Sequence, residues 1–436
     1  MTSTLLVFGS CGMDRLLSVK RYPEPEEKVR TVAYHQVGGG NAANVAHAAA
    51  LLRRGNVQVQ LGSKIGSDAV GQEMREELQT AGVDIEHGLF SVVPHTTTAF
   101  TTIIVALDLH TRTCMHTPGT CGEWTLDEIK AVQQCLDWSS VRHFHSDARQ
   151  TEAALYLMQQ AKQRGINVSL DVEKDRGSKA LDEMVGLADI IFTNALQLEE
   201  FLGRLTTEWE STLGLAPLKP TVVHNKTPLP LSMARVFVRA IEPSTYFTRR
   251  YQQVGKQIVI TKGSQGSIHV VCESVRVTDI EKSTGNENSH EVTIQRHHDS
   301  GDSDNGRYRL QQVIVERGRS MNRQTTAIYT LRAVGVLPNV SIVDTTGAGD
   351  AFLGGYLSAS LDSLRFPDPM DRLRLAAWVA GHKIQGPGAR TTLPTMEVFE
   401  KQLGVDNPAG VLRGRITPFE NDHTTVPPWS HFEDNA

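Results

Sequence analysis

Short apolar runs recur along the chain, and most are separated by stretches of helical period. The runs Leu5–Phe8, Val57–Leu61, Val141–His145, Val168–Val172, Ile190–Thr193 and Ile258–Thr261 are rich in Val, Ile and Leu, and several end at a polar residue or glycine. Apolar runs of this kind predict strands buried on both faces, as in a parallel sheet. Between them, Ala42–Arg53, Val70–Ala81, Thr151–Arg164 and Leu181–Ala188 read as helices. Strands alternating with helices predict βαβ units, hence an α/β fold with helices on both faces of a mainly parallel sheet.

Two stretches break that rhythm. Lys28–Gln36 and Thr97–Met115 carry β-branched residues without helical period. They predict either a small accessory sheet or edge strands of the main one, and periodicity does not choose between these. Two more stretches read as insertions, at about 206–251 and 274–325. The first has scattered prolines and no steady period. The second is rich in Asn, Ser, Asp, Gly and Arg, which predicts a long flexible loop dispensable for folding. On this reading residues 1–405 form one domain, and 406–436, with Pro427-Pro428 and an acidic end, form a surface tail.

Composition narrows the function classes. A chain of 436 residues accommodates one large domain with insertions. Its formal net charge of −5 argues against a nucleic-acid or anionic-membrane partner, which would call for a basic excess. The five cysteines are odd in number and include no Cys-x-x-Cys pair, so neither a disulfide framework nor a zinc ribbon is expected. A reduced, cytoplasmic setting fits. Leu5–Phe8 is too short for a signal-peptide core. No stretch approaches the ~18 apolar residues that span a bilayer.

The sharpest chemical signal is Asp344-Thr345-Thr346-Gly347-Ala348-Gly349-Asp350, between a strand candidate at Val340–Val343 and a helix of small residues. A glycine-rich turn that opens a helix points backbone N–H groups and the positive dipole end at one spot, an anion hole. Gly347 and Gly349 give the backbone room for close approach. An aspartate at the end of such a turn can take a proton from an attacking hydroxyl. Alternatively, Asp350 is an ordinary helix cap.

The second signal is Gly38-Gly39-Gly40-Asn41-Ala42-Ala43-Asn44, another glycine turn before a helix. It lacks the Gly-x-Gly-x-x-Gly spacing of a dinucleotide loop. Its asparagines carry donors and acceptors that suit a polyhydroxylated ligand, although Asn41 could equally cap its helix. Asp14 follows the first strand closely, where open α/β sheets bind ligands, and can accept two hydroxyl hydrogen bonds. The third signal, Thr261-Lys262-Gly263-Ser264-Gln265-Gly266, could line a nucleotide or simply turn a hairpin into Ile268–Val271.

Taken in order, these three turns resemble the ribokinase-like (PfkB-type) carbohydrate kinases. The resemblance covers about 5–202, 257–271 and 340–395, and omits both insertions and the tail. Arg21-Tyr22-Pro23, Thr111-Arg112-Thr113, His145-Ser146-Asp147-Ala148-Arg149 and Val172-Glu173-Lys174 look similar to ketohexokinases and plant-type members. The resemblance implies a three-layer α/β/α kinase domain with a small β lid, from residues 15–37 and 92–120, and ATP-dependent phosphorylation of a small sugar. It implies Asp350 as base and Gly347, Ala348 and Gly349 as the anion hole. It implies Asp14, Gly39, Gly40, Asn41 and Asn44 around the sugar, and Arg112 on the phosphate side. Asn194, Thr261, Gly263, Gly266, Gly381 and Gly388 would serve the nucleotide. Mg²⁺ is expected with ATP, with a monovalent cation as a further option and a homodimer through the lid allowed. Asn194-Ala195-Leu196-Gln197 departs from the family's Asn-x-x-Glu, so Mg²⁺ is expected mainly on phosphates and water, with its protein ligands unassigned. Two other readings stand beside this one: a kinase for a nucleoside or another alcohol, and a catalytically silent binding protein.

Overall fold

The computed structural model describes residues 2–109, 111–173, 178–197, 221–224, 240–241, 254–280, 289–296, 307–317 and 322–419. The chain divides into two compact units. The first comprises Met1–Asp171, Lys179–Leu187 and Leu337–Ile416; the second comprises Val172–Ser178, Ala188–Val336 and Thr417–Ala436.

The first unit is built on a parallel sheet. Its strands are β1 (Ser3–Phe8), β4 (Val57–Gly66), β5 (Phe90–Val93), β8 (Val141–Ser146) and β9 (Asn167–Val172), in the order β9-β8-β1-β4-β5. β1 is central, with Leu5 opposite Val59 on one side and His143 on the other. Leu5, Leu6, Val7 and Phe8 are fully buried, as expected for a strand covered on both faces. Helix α1 (Asn41–Leu51) packs on this sheet and against α6 (Ala348–Leu361). Alanines at 42, 43, 46, 48, 49 and 50 are all buried. A side chain at Gly354 would collide with Ala48, so small residues set the close approach of the two helices.

A second sheet stands apart from the first. It contains β2 (Gly12–Val19), β3 (Ala33–Gly39), β6 (Phe100–Ala106) and β7 (Thr111–Thr117), in the order β3-β2-β6-β7. The irregular stretches of the sequence therefore form an accessory sheet rather than edge strands.

The second unit carries a mixed sheet. β10 (Ile190–Asn194) runs parallel to β12 (Gln257–Thr261), which turns at Gly263–Gln265 into antiparallel β13 (Ser267–Ile280). β13 pairs with β16 (Asn322–Val334), followed by β15 (Arg307–Arg317), β14 (Ser289–Arg296) and β11 (Thr221–His224).

Three expectations need correction. The described parts of 274–325 are strands, not a loop. Thr325, the last residue of that stretch, opens a buried series with Ala327, Tyr329, Leu331 and Ala333, a period of two that carries β16 on beyond the polar segment. Val340–Val343 is not a strand. Ile342 and Val343 are exposed, and the N–H groups of Val343 and Asp344 donate to the Ile384 carbonyl, at the end of α7 (Pro369–Lys383). The expected tail starts too early, because Pro408–Arg415 is a helix that buries Leu412. Residues 420–436, and most of 206–251, lie outside the described residues.

Candidate active site

Within the first unit, the glycine turns and the accessory sheet bring distant residues together. The turn at 344–350 is fixed from its own aspartate. Asp344 Oδ1 accepts from the Thr346 N–H at 2.9 Å and hydroxyl at 2.7 Å, and Oδ2 accepts from the Gly388 N–H at 2.7 Å. Lys383, fully buried on α7, donates to the Asp344 carbonyl at 2.7 Å. Burial alone would raise the Asp344 pKa; the bonds from Thr346, the nearby Lys383 charge and the Gly388 bond outweigh it and hold the carboxyl below its ordinary value. Burial in turn lowers Lys383 to about 8, with Asp344 and Asp350 opposing and Arg112 adding.

Gly347 caps α6 with φ 71, and a side chain there would strike Ala389. Only glycine meets both demands. Gly349, in the first turn, is exposed with open space over its Cα. The N–H groups of a first turn are not used by the helix's own ladder, so this corner can accept an anion. Asp350 is the third helical residue and not the cap. It is 9 % exposed, and its Oδ2 accepts from the Asn44 amide at 2.8 Å.

The Gly38–Asn44 turn meets the same place. Gly40, with φ 88, caps α1, and Asn41 makes no side-chain cap; its N–H donates to the Ser10 hydroxyl. Asp14, on β2, lies so close to Gly39 that a side chain there would enter its carboxylate. Burial raises Asp14 to about 6, despite the Arg390 and Arg112 charges and with help from Asp344. Arg112, on β7, donates to the Thr346 hydroxyl at 2.8 Å, linking the accessory sheet to the anion turn.

Several of these neighbours were not singled out in the sequence. Arg390 is 5 % exposed and donates to Asn44 Oδ1 and to the Gly39 carbonyl, each at 2.8 Å. Asp147 accepts from the Ser10 N–H and hydroxyl and from the Ala42 and Arg149 N–H groups, tying β1 to the start of α1. The signal for Asp147 lay in the His145–Arg149 stretch; nothing local marks Arg390 as buried. Gly381 lies within α7, where a side chain would meet Leu337.

The remaining nucleotide candidates belong to the second unit. Asn194 ends β10, and its side-chain oxygen accepts from the Gln197 N–H at 2.9 Å. Thr261, Gly263 and Gly266 form the turn between β12 and β13, the plain hairpin that the sequence also allowed. Among the described residues, no group of three or more His, Cys, Asp or Glu side chains is placed to hold a metal. No helix there is long and apolar enough to cross a membrane.

The comparison with known proteins decides the family. The profile of the pfkB family carbohydrate kinases matches residues 2–223 and 288–396. The chain belongs to this family. Among curated relatives, an ATP-dependent ribose-1-phosphate kinase of Halopiger xanaduensis is 28 % identical over 45 % of this chain. A nucleoside kinase of Methanothermobacter thermautotrophicus is 26 % identical over 50 % of it. The chain spans 64 % and 68 % of these relatives' own lengths. The solved ribokinase of Arabidopsis thaliana in complex with ribose and ATP superposes with a TM-score of 0.59 at 18 % identity, covering 94 % of this chain and 99 % of that one. That likeness shows the ribokinase-like three-layer α/β/α fold.

Proposed function

We propose that this pfkB-family chain transfers the γ-phosphoryl group of ATP to a hydroxyl of a small sugar, ketohexose or ribose-like, with Asp350 as general base. One observation carries the reading: Asp350 sits in the first turn of α6, beside the open corner at Gly349, with its carboxylate oriented by Asn44. A carboxylate there can accept the proton of an attacking hydroxyl. The charge developing on the transferred group would meet N–H groups and the helix dipole next to it. Gly347, Ala348 and Gly349 form that anion hole. Asp14, Gly39, Gly40, Asn41 and Asn44 offer the acceptors and donors for sugar hydroxyls. Arg112, already bonded to Thr346, supplies positive charge from the lid.

Asn194, Thr261, Gly263, Gly266, Gly381 and Gly388 remain the candidates for the nucleotide. Gly388 already has a structural task in holding Asp344. Mg²⁺ bound to ATP would neutralise phosphate charge, held mainly by the phosphates and water, as this ion commonly is. We place the protein in the cytoplasm and pair it as a homodimer through the lid.

The test is release of ADP measured with ribose, fructose, other ketoses and adenosine, with Asp350→Asn alongside. Sugar-dependent release that the variant abolishes is expected. Release with adenosine alone would move the chain to the nucleoside kinases, the reading that the Methanothermobacter thermautotrophicus relative favours. No release with any acceptor would sink the assignment.

A further inference from the structure

We infer that Arg390 is a positioning residue for Asp350: its guanidinium fixes the Asn44 side-chain amide so that the NH₂ group faces the base. The inference rests on Asp350 being that base. A guanidinium only donates hydrogen bonds and an ionised carboxylate only accepts them. Arg390 Nε donates to Asn44 Oδ1 at 2.8 Å, so that end of the amide is its oxygen. Asn44 Nδ2 then donates to Asp350 Oδ2, also at 2.8 Å. Turning the amide over would set donor against donor at one end and acceptor against acceptor at the other. Arg390 and Asn44 are 5 % and 4 % exposed, so water does not readily repair the mismatch.

The same guanidinium is hydrogen-bonded through Nε and Nη2, and its Nη1 makes an ion-pair approach without a hydrogen bond. Nη2 donates to the Gly39 carbonyl at 2.8 Å and Nη1 lies 3.4 Å from Glu77 Oε2. Arg390 thus ties the glycine turn beside Asp14 to the residue that orients the base. Around this group stand Lys383, which senses both Asp344 and Asp350, and Arg112 and Asp14 from the accessory sheet. None of these bonds Asn44 Oδ1; among the described contacts Arg390 is the donor that fixes the oxygen end of the amide.

Without Arg390 the amide loses the contact that fixes its oxygen end and is held toward Asp350 at one end only, so Asp350 keeps a less firmly placed orienting donor. Misplacement of a reacting group costs up to ~10²-fold in rate, so Arg390→Met should lower kcat by about 10–100-fold with KM for ATP unchanged. Arg390→Lys keeps a positive donor without the planar fork, and should recover part of the loss. The decisive measurement is the kcat cycle of Arg390→Met, Asn44→Ala and the double variant. If Arg390 acts through Asn44, the double variant is no slower than Asn44→Ala alone. Additive losses, or an Arg390→Met enzyme with normal kcat, overturn the inference while leaving Asp350 in place. A wild-type chain inactive on every acceptor, or an Asp350→Asn enzyme with near-wild-type kcat, overturns the underlying reading and this inference with it. Should Arg390→Met fail to fold, the smaller loss in Arg390→Lys must likewise vanish in the Asn44→Ala background.

Discussion

Asp350 and Asp14 are both nearly buried carboxylates, yet their surroundings suit them to different work. Asp350 accepts a hydrogen bond from Asn44 beside the open turn. Asp350→Asn should cut kcat by ~10²–10⁴-fold with little change in ATP binding, read by steady-state kinetics and calorimetry. Asp14 is raised to about 6 chiefly by burial. Its native form holds the proton more tightly than the unfolded chain does. Stability from this group is therefore fully present below about pH 3.8 and is lost as pH rises through about 6. Asp14→Asn should accordingly raise the melting midpoint at neutral pH, by about 1–3 kcal/mol of stability, and flatten that pH dependence. The same variant should weaken sugar binding, since a carboxylate accepts from two hydroxyls and an amide oxygen is a poorer partner. A stability gain paired with an affinity loss separates a ligand-holding charge from a structural one.

At the scale of elements, the stretch 274–325 has changed its meaning. β13 pairs with β16 along their length, and β16 places Tyr329 and Leu331, both fully buried, in the second unit's core. Deleting 274–325 removes half of β13 and the start of β16, and should abolish the cooperative thermal transition. Tyr329→Ala should cost ~3–5 kcal/mol in denaturant titration, as large aromatic truncations do. A soluble deletion with a native circular dichroism spectrum would argue that the strands are accessory. The accessory sheet, the lid we propose, is a different kind of element. β7 is exposed along its whole length, and a small sheet with little cover is weakly held. Adding sugar and ATP should protect residues 15–37 and 92–120 from hydrogen exchange, because closure keeps water from the reacting phosphate. Arg112→Ala removes the bond to Thr346 and should reduce that protection.

For the whole molecule, the exposed side of the accessory sheet bears on the proposed dimer. Val32, Tyr34, Leu107, Leu109 and Met115 are large apolar side chains exposed on or beside the accessory sheet. Exposed apolar side chains spread over one small sheet are the kind of surface that we propose pairs with its own copy in a two-fold dimer. Light scattering should give a dimer, and Tyr34→Glu with Val32→Glu should convert it to a monomer. A monomeric wild-type chain would remove the dimer and leave the kinase reading intact. Closure and pairing are separable, since hydrogen exchange reads the first and mass reads the second.

The sequence alone determined what depends on neighbours along the chain. Buried strands such as Leu5–Phe8 show as apolar runs, and the glycine turns before α1 and α6 show because left-handed backbone at Gly40 and Gly347 admits little else. Asp350 was legible because it closes such a turn. The alternation Thr325-Ala327-Tyr329-Leu331-Ala333 was also present, but it begins only at the last residue of the polar stretch 274–325. Only the tertiary structure decided which charges meet. Asn44 lies 306 residues from Asp350 and 346 from Arg390. No local pattern marks a buried arginine, because its burial is a property of the elements packed around it. Asp344 was read as part of a loop motif and is instead the anchor that joins the anion turn to Gly388. Periodicity records how each segment meets the core; the direction of a hydrogen bond between distant side chains is set only when the chain has folded.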